Sequence, residues 1–106
     1  MRELTITRRK TFVGSLMKVK IYIHDPNSNE INIKGYQCRK VGEIKNNSSL
    51  TITIDEEKHI LFAIFDIASK DYCYDAIEIP EGISNIMISG KNKFSPLQGN
   101  PFIFDK

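Results

Sequence analysis

Between residues 17 and 24 apolar and polar side chains alternate without a break. Met17, Val19, Ile21 and Ile23 fall in one phase; Lys18, Lys20, Tyr22 and His24 fall in the other. A period of two belongs to a half-buried β-strand, because successive side chains leave opposite faces of the pleat. The same alternation opens the chain at Leu4-Thr5-Ile6-Thr7. It returns at Leu50-Thr51-Ile52-Thr53-Ile54, over residues 75–79 up to Pro80, and around Ile86 and Ile88. Ile31 and Ile33 alternate too, separated from the residue 17–24 strand by Asp25-Pro26-Asn27-Ser28. That run suits a type I turn, since Pro fixes φ and the Asp side chain accepts from the following backbone. It predicts a hairpin. Residues 36–45 are less regular and predict two short strands, near 36–40 and 42–45. Ile60-Leu61-Phe62-Ala63-Ile64-Phe65 is apolar at every position, as in a central strand covered on both faces. Residues 66–72 are the one place where a helical turn is expected. The last stretch, 91–106, is interrupted by Pro96, Gly99 and Pro101 but carries Phe94, Leu97, Phe102, Ile103 and Phe104. It is too apolar for a free tail and reads as an irregular segment packed on the body.

About eight short strands joined by polar turns predict an all-β fold. The expected architecture is a single-domain antiparallel β-sandwich over residues 1–106, immunoglobulin-like, with at most one helical turn. A chain of 106 residues, 41% hydrophobic and 26% charged, suits one domain with its own core. No stretch nears the ~18 apolar residues of a membrane span, and residues 1–5 enter a strand without the apolar core of a secretory signal. The expectation is a cytoplasmic protein without membrane contact.

Charge and chemistry narrow the picture further. The net charge of +2 is too small to demand a polyanionic partner. Its distribution is uneven: residues 1–45 hold ten Lys/Arg against four Asp/Glu, and residues 46–106 hold five against nine. Opposed patches of this kind could draw a neighbouring copy. His24, Cys38, His59 and Cys73 lack the paired spacing of a zinc site. Ser15, Ser69 and the cysteines lack the flanking motif of a nucleophile, and no glycine-rich phosphate loop exists. No catalytic residue, metal or cofactor is expected. Arg8, Arg9, Lys18 and Lys20, with Tyr22 in the outward phase, form a candidate basic binding face.

The run Leu4-Thr5-Ile6-Thr7-Arg8-Arg9-Lys10-Thr11-Phe12-Val13-Gly14, followed by Val19-Lys20-Ile21-Tyr22-Ile23, resembles a group of small, uncharacterised bacterial β domains. Those domains often begin with I-T-R-x-x-x-F-x-G and continue with a V-Y-I-D strand. Val41-Gly42-Glu43-Ile44-Lys45-Asn46 is similar to their V-G-x-L-K-N-G turn, and His59 with Asp66 to a later H-x-(apolar)-D stretch. The similarity covers the first two thirds of the chain. Asn47 stands where a turn glycine is usual, and residues 25–40 look like an inserted hairpin. The resemblance implies a compact β-sandwich and brings neither an activity nor a catalytic residue.

The resulting expectation is a non-enzymatic protein-interaction module, with a second copy of the chain among its candidate partners, acting through a strand at a sheet edge. Two surfaces are candidates: the basic face (Arg8, Arg9, Lys18, Lys20, Tyr22) and the apolar carboxy-terminal residues Phe102 and Phe104. The alternative is a small β-barrel that binds single-stranded nucleic acid with the basic face. One aromatic in that face and a modest net charge make it the weaker candidate.

Overall fold

The computed structural model describes residues 1–12, 17–65, 74–93 and 101–106. The helical turn expected at residues 66–72 lies outside them. Nine strands follow one another: β1 (Arg2–Arg8), β2 (Val19–His24), β3 (Ile31–Ile33), β4 (Tyr36–Ile44), β5 (Ser48–Ile54), β6 (His59–Ile64), β7 (Tyr74–Ile79), β8 (Ile86–Asn92) and β9 (Phe102–Phe104). They form an all-β sandwich of two sheets, with no helix among the described residues. One sheet has the order β5-β1-β8-β9 and the other β3-β4-β2-β6-β7. All strand pairs are antiparallel except β1 with β8, which run parallel.

The alternation seen in the sequence fills the space between the sheets. Leu4 and Ile6 of β1 meet Val19, Ile21 and Ile23 of β2, with Ile44, Ile54, Leu61, Ala63, Phe65, Ile79, Phe102 and Phe104 in the same cluster. β6 is flanked by β2 and β7 and apolar on both faces, as a central strand should be. Leu61 and Ala63 face this main core; Phe62 and Ile64 face the other way into a second cluster with Tyr22, Ile33 and Cys38. The doubly apolar run thus serves two apolar layers.

Residues 31–45 depart from the expected local pairing. Asp25-Pro26-Asn27-Ser28 does make its turn: the Ser28 N–H donates to Asp25 O at 3.0 Å, and the Asn27 N–H to Asp25 Oδ1 at 3.0 Å. The turn does not, however, close a hairpin between β2 and β3. It carries the chain past β4, and β3 pairs with β4 instead. Lys34 and Gly35, with φ of 47° and 91°, form the two-residue connection whose twist suits adjacent strands. The two short strands expected over 36–45 are one nine-residue strand. Ile21 pairs with Gly42 and Tyr22 with Lys40, so Val41 is the extra residue of a β-bulge. That bulge is what blurred the alternation in the sequence. After β4, Asn47 takes φ of 58°, the left-handed conformation that Asn tolerates better than most residues, and the chain crosses to the other sheet.

Residues 91–106 are less irregular than their composition suggests. Lys91 and Asn92 complete β8, and β9 pairs with it through Gly90↔Phe104 and Asn92↔Phe102. The side chain of Asp75 on β7 accepts the Phe104 N–H at 3.0 Å, which ties the two sheets together along one side of the sandwich.

Candidate interaction surface

The five residues of the candidate basic face do not share a surface. In β1 the phase of Leu4 and Ile6 is also the phase of Arg2 and Arg8, so both arginines point inward. Arg8 is 0% exposed. Its guanidinium donates to Asn92 Oδ1 (3.0 Å), Met17 O (2.7 Å) and Ile44 O (2.8 Å), and lies 5.7 Å from the centre of the Phe65 ring. Burial depresses its pKa, but an arginine remains charged. Arg2, also buried, donates to Asp55 O, Glu57 O and Pro80 O. Both are internal clamps: a planar fork of donors satisfies carbonyls left over where strands end.

Tyr22 is likewise internal, 7% exposed in the second cluster. Arg9 is on the surface at the end of β1, where Asp105 pairs with it at 2.6 Å. Ser89 Oγ–H and Arg9 together hold the Asp105 carboxyl below its ordinary pKa. Lys20 belongs to the other sheet and Lys18 immediately precedes its strand β2; there Glu43 meets Lys18 at 3.6 Å and Lys40 more closely. Phe102 and Phe104 are 0% and 2% exposed, with their rings edge to face at 5.4 Å. Both rings are taken up by the protein's own core and present no surface to a partner. The signal for Arg8 was present in the sequence as strand phase; clustering by sequence proximity overrode it.

Beside β2, sequence proximity gives no warning of a row of rings on the outer face of the five-stranded sheet. His24, Tyr36, Phe62 and Tyr74 succeed one another at centroid spacings of 5.1, 5.6 and 5.9 Å. The Lys34 ammonium lies 5.1 Å from the centre of Tyr74. These residues come from separate strands, and only pairing across the sheet brings them together. Cys38 sits directly opposite His24 and is buried, which raises its thiol pKa. Cys73 lies outside the described residues. Among the described residues no three or more His, Cys, Asp or Glu are placed to hold a metal ion.

Among the described residues, β5 stands at one edge of the four-stranded sheet. The sequence marks it only as a strand; strand order makes it an edge. Among the described residues β5 pairs with β1 alone; it is seven residues long and contains no charge, proline or glycine. Which of its backbone groups point outward follows from β1. The Glu3 N–H donates to Asn85 Oδ1 and the Arg9 N–H to Gly90 O, both on the β8 side. Odd residues of β1 therefore turn their N–H and C=O toward β8, and even residues toward β5. Arg2, Leu4, Ile6 and Arg8 bond to Ile54, Ile52, Leu50 and Ser48. The intervening residues of β5, Ser49, Thr51 and Thr53, direct their N–H and C=O groups away from the sheet. Their side chains are exposed on its outer face, where Thr51 Oγ1 meets Thr5 Oγ1 at 3.0 Å and Ser49 Oγ meets Thr7 Oγ1 at 3.0 Å. Leu50 and Ile52 face the core but are only partly covered.

Lys45 closes one end of this edge and Asp55, Glu56 and Glu57 the other. Asp55 accepts the Glu57 N–H at 2.9 Å and stands 2.6 Å from His59 Nε2. The backbone N–H first, and His59 second, hold its carboxyl below the usual value. A depressed carboxylate stabilises the fold above its unfolded pKa of about 4, and that contribution fades as pH falls through the folded value. In urea titrations from neutral to strongly acid pH, Asp55→Asn is expected to flatten the acid limb of stability. An acid limb as steep as that of the unchanged chain would contradict this role for Asp55.

No protein-family model, no curated protein and no solved structure matches the chain. The resemblance of its first strands to small bacterial β domains therefore rests on strand and turn patterns alone.

Proposed function

We propose that this chain is a non-enzymatic protein-interaction module that accepts a strand from a partner along β5. The observation that carries the reading is the row of outward backbone groups at Ser49, Thr51 and Thr53. Natural sheets blunt such edges with lysine, proline or a bulge, and β5 has none of these. An incoming strand gains backbone hydrogen bonds there and covers the partly exposed Leu50 and Ile52. The single-strand nucleic-acid reading has lost Arg8 and Tyr22 to the interior, while Asp105 and Glu43 offset Arg9 and Lys18.

Thr51→Pro separates the edge from the fold. It deletes an N–H that points away from β1, leaves the β1 ladder intact, and proline is tolerated on edge strands. Immobilised unchanged protein is expected to retain specific proteins from a lysate of cells that also produce the chain. Thr51→Pro is expected to retain none of them, and Lys18→Glu/Lys20→Glu to retain them all. Equal retention by the unchanged and Thr51→Pro proteins would overturn the reading.

A further inference from the structure

Resting on the edge reading above, we infer that the strand accepted by β5 is β5 of a second copy, antiparallel about a two-fold axis through Thr51. The outward groups are spaced symmetrically about that residue. In this register Thr51 faces Thr51 of the second copy and each Ser49 faces a Thr53. All three outward N–H and all three outward C=O groups of each copy are then paired. A register centred on Ser49 or Thr53 leaves part of the row unused.

The side chains agree with the backbone. On the outer face, Thr51–Thr51 and Ser49–Thr53 repeat the hydroxyl pairings that β5 already makes with Thr5 and Thr7. On the core side, each Leu50 lies against an Ile52, covering the two apolar residues of β5 that its own sheet leaves partly exposed. Charge fixes the direction. Antiparallel pairing brings the Lys45 end of each copy against the Asp55, Glu56 and Glu57 end of the other, whereas a parallel pair would set the acidic ends side by side.

The contact is isologous and closes on itself: β5 is consumed on both copies, and the two sheets merge into one of eight strands. Among the described residues the other edges suit a second copy less well: β7, six residues long, carries the charges of Asp75 and Glu78, and β3 has three residues. β9 is three residues long, and the Asp75 carboxylate of β7 takes the Phe104 N–H. Edge pairing alone buries little surface, so the dimer is a weak one, dissociating between about 10 µM and 1 mM.

Charge substitution at the axis tests the register, because Thr51 is exposed and contributes nothing to the core. In Thr51→Lys two ammonium groups oppose one another across the axis, and in Thr51→Glu two carboxylates do. Each variant alone is expected to dimerise at least about tenfold more weakly than the unchanged chain in sedimentation equilibrium. An equimolar mixture is expected to recover dimer as the mixed species. Circular dichroism and urea midpoints check that both variants fold. An unchanged chain that is monomeric at ~1 mM overturns the inference, as does a dimer indifferent to both substitutions. Either result leaves the edge reading standing if lysate proteins are still lost on Thr51→Pro, so the two failures are distinguishable.

Discussion

Arg8→Ala is expected to lower the free energy of unfolding by about 3–5 kcal/mol, the largest effect of any single change outside the apolar core. The side chain is fully buried, and its donors satisfy Ile44 O, Met17 O and Asn92 Oδ1. Truncation removes three donated bonds, of which those to Ile44 O and Asn92 Oδ1 are buried, and empties the space beside Phe65. Each unsatisfied buried acceptor costs about 1–3 kcal/mol, against a total stability of about 5–15 kcal/mol for a domain of this size. Arg8→Lys is the informative companion. It keeps the positive charge, but a compact ammonium cannot present the planar fork to acceptors on β4, β8 and the chain before β2 at once. It is therefore expected to recover less than half of the loss. Urea denaturation reads both effects as a shift of midpoint at unchanged slope. A Lys variant as stable as the original would mean that charge, not the donor fork, is what this site requires.

Phe102→Ala comes next, also with an expected loss of about 3–5 kcal/mol. The ring lies against Gly90 so closely that a Cβ there would stand 2.6 Å from it and 2.5 Å from Ile103 O. Gly90 is thus the socket in which β9 seats, and removing the fully buried ring empties it. The consequence should spread along β9. The Phe104 N–H, bonded to Asp75, is expected to lose protection from hydrogen exchange more than amides of β2 or β6. A shift in stability below about 1 kcal/mol would show that β9 is only loosely attached, and would return Phe102 and Phe104 to consideration as contact residues.

Much of the architecture was legible because the main core is built by strand alternation. Leu4, Ile6, Val19, Ile21 and Ile23 all face it in the phase their spacing requires. The misreadings have specific causes. Tyr22 occupies the outward phase of β2 yet is buried, because that face carries a second apolar layer assembled from Ile33, Cys38, Phe62 and Ile64. Arg8 was grouped with Arg9 as a surface pair although adjacent residues of a strand face opposite ways. Phe102 and Phe104 are expected from the sequence on an irregular segment packed on the body; pairing of β9 with β8 makes that segment a strand and buries both rings.

Residue order along the chain is enough to specify extended strands, the side of most strands that faces the main core, and the turn at Asp25-Pro26-Asn27-Ser28. Those properties are local: φ/ψ preference and a period of two are set by a residue and its near neighbours. The pairing of β3 with β4, the parallel run of β1 beside β8, and the place of β5 at an edge of the described sheet with Ser49, Thr51 and Thr53 turned outward emerge in three dimensions alone. Strand order depends on contacts between residues far apart in the chain, and an edge is defined by the absence of a neighbour, which no local pattern can encode.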